Sequence, residues 1–236
     1  MPNSISPVPK SYQGIWRRTG IFRSDGRIDL TTSVWWFQSA LFHIDLRVPQ
    51  DRPRVTDPAA LASLPPAQLA RFGAQTGFAG VTVVEADRCE WRPEIAFPAI
   101  SDEIDAGLMR FDTPDNLHES GIDASYQEDW LRVVSGPVTG VRLDSLDNSG
   151  KVAYLIISGQ QAAWACGVAD AQFPATAGSE FSLLRRAHAA GPWRIVASNH
   201  GWLEHGRTMT LPTLKDSQPG QMISVGTEHW RISKIG

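Results

Sequence analysis

Apolar and polar residues alternate with a period of two along much of the chain. In residues 42–48 this alternation separates two faces, which carry Phe42, Ile44, Leu46 and Val48 on one side and His43, Asp45 and Arg47 on the other. Such alternation is typical of a half-buried strand. Comparable strand-like runs occupy residues 28–36, 78–85, 91–97, 151–158, 181–184 and 193–197. Turn dipeptides lie between the runs, among them Asp25-Gly26, Ser149-Gly150, His205-Gly206 and Pro219-Gly220. Short strands separated in this way predict an all-β barrel or sandwich.

One segment departs from the strand pattern. Thr56-Asp57 stands directly before Pro58, and a capping residue followed by proline favours the start of a helix. Residues 59–71 are rich in Ala, Leu and Gln and are interrupted by Pro65-Pro66. We therefore predict one or two short helices near residues 56–72. This insertion either covers the mouth of a barrel or forms a surface connection.

An internal repeat divides the chain in two. The matches keep the same order and pair Gly26 with Gly150, Gln38 with Gln161, Phe78 with Phe181, Trp91-Arg92 with Trp193-Arg194, Gly121 with Gly220, and Glu128-x-Trp130 with Glu228-x-Trp230. The separation between Gln38 and Phe78 is longer than that between their matches, Gln161 and Phe181, and the extra residues of the first copy form the helical segment. The repeat predicts two tandem antiparallel β-barrels from an internal duplication, in residues 1–134 and 135–236, with the helical insertion in the first.

The start of the first copy carries a family resemblance. Gly14-Ile15-Trp16 resembles the Gly-x-Trp of lipocalins and the wider calycin group, in which the Trp closes the barrel base. In those families an Arg of the last strand packs on the Trp, and the resemblance implies that Arg132 has this role here. The second copy begins with Gly136-Pro137-Val138 and lacks the Trp.

A second resemblance covers almost the whole chain. It rests on residues 34–38 and 43–49, on Phe78-Ala79-Gly80, on residues 89–94, on Asp105-Ala106-Gly107 and on Glu119-Ser120-Gly121. These runs resemble the family of a fungal casein-kinase-interacting protein and its bacterial relatives of unknown function. The resemblance implies two calycin-like barrels in one chain, and it supplies no catalytic residues.

Composition excludes several classes of function. With 25 acidic and 22 basic residues the formal net charge is −3, so no strong basic field is available for nucleic acid. The pairs Arg17-Arg18 and Arg185-Arg186 are either local anion sites or solvated charges. Residues 1–10 lack the apolar core of a signal peptide, and no apolar stretch is long enough to span a membrane. With two cysteines, too few for a disulfide framework, the chain is expected to be cytoplasmic and to bind no membrane.

Motifs for nucleotide, metal or nucleophile chemistry are absent from the sequence. There is no phosphate loop, no G-x-G-x-x-G, no H-E-x-x-H and no G-x-S-x-G. Only His200 and His205 lie close together among the histidines; on one strand they would face opposite sides, whereas in a hairpin they could converge. Neither a zinc site at this pair nor a haem held by one His is favoured. We therefore predict no cofactor and no metal.

The candidate ligand-binding residues lie on strand faces of the first copy. They are Trp36, Gln38, His43, Asp45, Arg47, Trp91, Arg92, Glu94, Glu119, Tyr126 and Glu128. If these faces point into the barrel, they form a polar, Trp-lined cavity in which Arg–carboxylate pairs balance buried charge. If the apolar faces point inward instead, the charges are solvated, and hydrophobic burial favours this second arrangement.

Three functions follow from these alternatives. The first is binding of a small polar or aromatic molecule in the first barrel. The second is a protein–protein interaction module without a ligand, which predicts an exposed apolar patch. The third is an acid–base enzyme that uses the carboxylates and His43 and needs His43, Asp45 or Glu94 in one pocket. A non-enzymatic role is favoured because the catalytic motifs are missing, and the partner is an unknown small molecule or protein.

Overall fold

The computed structural model describes residues 6–98, 104–147, 149–169, 178–204 and 206–236. The first sheet contains β1 (Gly14–Arg23), β2 (Ile28–Asp29), β3 (Ser33–Gln38), β4 (Phe42–Val48), β5 (Thr76–Glu85), β6 (Arg88–Phe97), β7 (Asp105–Thr113), β8 (Asn116–Gly121) and β9 (Tyr126–Val134). The helices α1 (Pro58–Ala62) and α2 (Pro66–Gly73) lie between β4 and β5. The second sheet contains β10 (Thr139–Ser145), β11 (Lys151–Ser158), β12 (Gln161–Val168), β13 (Glu180–Arg185), β14 (Trp193–Ser198), β15 (Thr208–Met209), β16 (Met222–Val225) and β17 (Glu228–Ile235).

The first sheet closes into a barrel. Its order is β2-β1-β3-β4-β5-β6-β7-β8-β9, and β1 also pairs with β9, from Ile15 opposite Val134 to Arg23 opposite Tyr126. Eight antiparallel strands thus form a closed wall, and the short helical insertion connects β4 to β5, which pair with each other. The all-β prediction with a helical insertion is confirmed.

The second sheet curls into a half-barrel. Its order is β15-β14-β13-β12-β11-β10-β17-β16, so its last long strand, β17, pairs with its first strand, β10, as β9 pairs with β1. Within the described ranges β15 and β16 form no strand pair with each other, although Gly226 N–H donates to Thr210 O at 2.8 Å between them. The second sheet therefore does not close as a full barrel. The common strand order is what an internal duplication predicts, and the duplication itself stays a prediction.

The two sheets share one apolar core. Phe42, Ile44 and Leu46, each fully buried, face outward from the barrel and pack against Tyr154 and Ile156 of β11. Both faces of β4 are therefore covered, one by the barrel interior and the other by the second sheet. Burial of apolar surface on this scale is the main force that joins the two sheets.

The helical insertion begins where its capping pattern predicts. Asp57 is the N-cap of α1, and its Oδ1 accepts a hydrogen bond from Ala60 N at 2.9 Å. Pro58 occupies the first helical turn, where its missing N–H costs no hydrogen bond. Pro65 then separates α1 from α2, as the sequence pattern predicts.

The insertion and the residues that flank it contact the end of β14 and the segment that follows it. The Arg52 guanidinium donates from Nη1 to Ser198 O at 2.7 Å and from Nη2 to Glu204 Oε2 at 2.6 Å. The Phe72 ring of α2 stacks on Trp202, with ring centroids 6.4 Å apart. The choice between the two roles considered for this segment, cover of a barrel mouth and surface connection, stays a prediction.

The base of the barrel matches the Gly-x-Trp resemblance. Trp16 is fully buried and its Nε1 donates to Tyr12 O at 2.8 Å. The Arg132 guanidinium carbon of β9 lies 4.6 Å from the Trp16 ring centroid, as a cation–π contact requires. Arg132 is thus the packing partner that the resemblance implies.

The cysteines and helices add two plain findings. Cys89 lies in the barrel core and Cys166 in the half-barrel core, and both are free thiols. No helix in the part of the chain that the structure describes is both long and apolar enough to cross a bilayer.

Candidate functional site

The charged face of β4 points into the barrel. His43 lies opposite Gln38 of β3, and Asp45 lies opposite Trp36, so these side chains share the interior face. His43 is 0% exposed and Asp45 is 2% exposed. The arrangement that hydrophobic burial favoured is therefore wrong for this strand. Its outward apolar face is buried all the same, because the second sheet covers it.

A cluster of four tryptophans fills the part of the barrel nearest its base. Trp36 stands at the centre, with ring centroids 6.0 Å from Trp16, 5.5 Å from Trp91 and 5.8 Å from Trp130. The last two contacts are edge-to-face, a preferred geometry for aromatic pairs. Trp36 and Trp91, both candidate residues, thus form core next to the polar groups rather than the wall of an empty cavity.

A chain of hydrogen bonds determines which ring nitrogen of neutral His43 carries the proton. Gln38 Oε1 accepts from Trp36 Nε1 at 3.0 Å and from Thr82 Oγ1 at 2.8 Å. Since the Thr82 hydroxyl proton is used there, Thr82 Oγ1 accepts from His43 Nδ1 at 3.1 Å. His43 Nε2 then carries the lone pair, and it is buried without a hydrogen-bond partner.

Burial lowers the pKa of His43 to about 3, so the imidazole is neutral at pH 7 and a weak base. Its Nδ1 is committed to Thr82, and Glu94 lies outside the barrel wall, bonded to residues of the second sheet. Of the residues that the acid–base alternative names, His43 and Asp45 thus share the barrel interior, whereas Glu94 lies outside it.

Four carboxyl groups and two guanidinium groups meet toward the other end of the barrel. They belong to Asp45, Asp105, Glu119, Glu128, Arg18 and Arg47. Arg47 Nε donates to Asp45 Oδ1 at 2.8 Å, and Arg18 Nη1 donates to Glu128 Oε1 at 2.6 Å. The two ion pairs leave two carboxyl groups, those of Asp105 and Glu119, without a cationic partner.

Glu119 is held by neutral donors. Its Oε1 accepts from the Tyr126 hydroxyl at 2.7 Å, and its Oε2 accepts from Trp130 Nε1 at 3.1 Å. It lies directly opposite Glu128 across β8 and β9, where like charges repel. Burial, with the charge of Glu128, raises the pKa of Glu119 to about 8. Glu119 is therefore a neutral acid at pH 7, and burial also raises the pKa of the Tyr126 hydroxyl.

Asp45 and Asp105 also have raised pKa values. Burial raises the pKa of Asp45 to about 6, against the opposing effect of Arg47. Burial likewise raises the pKa of Asp105, which Arg47 lowers and Glu128 raises by their charges. Clustered carboxyl groups with raised pKa values are a physical sign of a functional site.

A pocket of about 480 Å³ opens beside this cluster. It is lined by Ile104, Asp105, Ala106, Ile122, Asp123, Ser125 and Tyr126. Asp105 is half-buried, and its carboxyl group forms no hydrogen bond or ion pair with a described residue. Arg47 uses its Nε for Asp45, and its guanidinium carbon lies 5.2 Å from the Phe78 ring centroid. The pocket thus gives a ligand access to a carboxylate that no described side chain pairs.

Two candidate residues lie on the outside of the barrel. Arg92 is exposed and donates to Glu90, while Glu94 accepts from Arg142 Nε at 2.6 Å and from the Tyr154 hydroxyl at 2.5 Å. Arg92 and Glu94 therefore do not share the barrel interior with the other candidate residues, contrary to the sequence prediction. Trp91 points inward, so its neighbour Arg92 points outward. Glu94 follows two residues after Arg92 on the same face, so it also points outward, where it meets the second sheet.

The structure adds residues that the sequence pattern did not select. Arg18, considered there as one of a solvated or anion-binding pair, is buried and bonded to Glu128 and Asp29. Its position two residues after Trp16 on one strand face is the signal that would have placed it inside. Asp105 stood out only as part of the run Asp105-Ala106-Gly107 in the family resemblance, and nothing in its local sequence indicates the pocket.

No metal centre is evident in the described ranges, where no three His, Cys, Asp or Glu side chains are grouped to hold an ion. The structure does not test whether His200 and His205 converge on a metal ion, because His205 lies outside the described residues.

The fold defines the class of protein. The first sheet is an up-and-down eight-stranded barrel, an architecture that lipocalins also have. The whole chain is similar to the uncharacterised protein YLR301w from Saccharomyces cerevisiae, with a TM-score of 0.59 and 12% identity, over 94% of this chain and 98% of that chain. At this identity the similarity shows the fold alone.

A lipocalin-like protein from Bacteroides uniformis aligns with 52% of this chain and 98% of its own, at 10% identity and a TM-score of 0.35. No protein-family model matches the sequence. No curated protein matches it either.

Proposed function

We propose that the chain is a binding protein for a small polar molecule that carries a positive charge, held at the pocket beside Asp105 and Tyr126. The observation that carries the proposal is the half-buried carboxylate of Asp105, which has no partner among the described residues and lines a pocket of about 480 Å³. A partly desolvated carboxylate binds a cationic donor more strongly than a neutral one.

The charge balance behind the pocket favours a cation. With Glu119 neutral at pH 7, the carboxyl groups of Asp45, Asp105 and Glu128 face two guanidinium groups, and Asp123 adds a further carboxyl group at the rim. None of the residues that line the pocket is Lys or Arg. A bound ammonium or guanidinium group would offset the excess negative charge, whereas a bound anion would increase it.

The pocket walls also have apolar surface. Ile104 and Ile122 are exposed at the pocket, and the Tyr126 ring stands beside them. These side chains can cover the carbon skeleton of a ligand while Asp105 binds its charged end. A small aromatic or aliphatic amine combines the two properties.

The test compares compounds that differ in charge. We expect 2-phenylethylamine and related amines to raise the thermal unfolding midpoint and to form a complex in native mass spectrometry. The neutral 2-phenylethanol and the anionic 3-phenylpropanoate are expected to bind at least about tenfold more weakly, since they lack a charge-assisted hydrogen bond.

The variant Asp105→Asn is expected to lose the preference for amines while it keeps the fold. Asp147→Asn, which removes an exposed carboxylate of the second sheet, serves as its control. Equal binding of amines by wild type and Asp105→Asn, or stronger binding of the neutral and anionic compounds, would contradict the proposal.

A protein partner stays a second prediction. Ile28 and Leu30 are 62% and 65% exposed beside Phe22 at the β1–β2 hairpin, which is the kind of surface that such a partner would cover. The cytoplasmic location and the expected lack of nucleic-acid and membrane partners also stay predictions.

A further inference from the structure

The second sheet has a cavity whose charged lining residues are basic, whereas those of the barrel pocket are acidic. A pocket of about 260 Å³ lies where β10 and β14 begin and β11 ends, beside the segment that follows β15. The residues of its lining that carry charge or a hydroxyl group are Arg186, Lys215, Thr139 and Thr213. No Asp or Glu belongs to this lining, so its fixed charge is positive.

Arg186 is held rigidly at this cavity. Its Nη1 donates to Ala189 O at 2.6 Å, its Nη2 donates to Gly159 O at 3.0 Å, and its guanidinium carbon lies 4.4 Å from the Trp193 ring centroid. Carbonyl oxygens orient the guanidinium without neutralising it. Each terminal nitrogen keeps a second N–H, so the group retains both its charge and its donors.

Lys215 supplies the second charge. It is exposed and forms no ion pair with a described carboxylate, so its ammonium group is free to turn toward the cavity. Thr139 and Thr213 add hydroxyl donors on the wall. A guanidinium, an ammonium and hydroxyl groups around a small cavity are the donors that a tetrahedral oxyanion accepts from.

We infer that this cavity is an anion site that binds a phosphate-sized oxyanion between Arg186 and Lys215. The site is independent of the barrel pocket, because it lies in the other sheet, is lined by different residues and has the opposite charge. It assigns a role to one residue of the pair Arg185-Arg186, which the sequence presents only as two adjacent cations.

Inorganic phosphate is the probe, added to the full chain with sodium chloride at matched ionic strength as reference. We expect phosphate to raise the unfolding midpoint of the wild type above that in chloride, and to bind measurably by calorimetry. Lys215→Gln and Arg186→Gln are each expected to weaken binding by at least about tenfold, the effect of one lost charge-assisted contact. Arg194→Gln, which removes an exposed charge of β14 outside the cavity, should bind phosphate as the wild type does.

Arg186→Gln also loses the contact with Trp193 and can unfold for that reason, so Lys215→Gln decides the question by itself. Wild-type phosphate affinity in Lys215→Gln, or a phosphate effect no larger than that of chloride, would overturn the inference. Amine binding at the barrel pocket should be the same in Lys215→Gln and wild type, which separates this result from that of the proposed function.

Discussion

Trp36→Ala is expected to lower the free energy of unfolding by about 3–5 kcal/mol, the range measured when large buried aromatic side chains are truncated. Trp36 is 1% exposed and contacts three other tryptophans, so its removal leaves a cavity that rigid neighbouring rings cannot close. The substitution also removes the Nε1 donor to Gln38, which is itself fully buried. Urea denaturation followed by far-ultraviolet circular dichroism measures the change.

The adjacent Trp35 provides the matched control. It lies on the opposite face of β3, is only half-buried, and donates its Nε1 to Ser33 at an exposed position. Trp35→Ala is expected to cost clearly less stability than Trp36→Ala. Equal losses for the two variants would show that the tryptophan cluster does not dominate the barrel core.

Glu119→Gln is expected to become more stable relative to the wild type as pH rises from about 4.5 to about 8. The folded protein keeps the Glu119 proton up to its raised pKa of about 8, whereas the unfolded chain releases it near the ordinary value of 4.5. The folded state thus binds the extra proton in this window, and wild-type stability falls by up to about 1.4 kcal/mol per pH unit. The neutral amide that the substitution introduces resembles the protonated acid and has no such dependence.

The measurement is the difference in unfolding free energy between variant and wild type at pH 5, 6.5 and 8. Glu85→Gln, which changes an exposed carboxylate at the end of β5, controls for the loss of a negative charge. A difference that stays constant over this range would mean that Glu119 is ionised in the folded protein. His43 titrates in both proteins and cancels in the comparison.

Much of the fold could be predicted from local patterns. The alternation in residues 42–48 and the cap at Asp57 predict β4 and α1 because each pattern acts over a few neighbouring residues. β7 escaped prediction, since Gly107 and the polar outer residues of Asp105–Thr113 weaken its alternation. The second sheet was predicted as a closed barrel, and its open edge could not be predicted because pairing between distant strands leaves no local signal.

The candidate site shows the same division. The sequence selected nine residues that the structure places on the inner side of the barrel wall, together with Arg92 and Glu94, which it does not. Arg92 and Glu94 alternate with Trp91, and the period of two does not tell which of these two faces of β6 is the inner one. Asp105 acquires its importance only from the pocket and from the charges of Arg47 and Glu128 around it.

The sequence by itself determined that this protein is built from short antiparallel strands, with one capped helical insertion and with charged and apolar residues on opposite faces of β4. Only the tertiary structure decided which face points inward. A strand in a single barrel would bury its apolar face, but here a second sheet covers that face from outside. The interior could then hold His43, Asp45 and Arg47, because hydrogen bonds and ion pairs compensate most of the polar groups buried there.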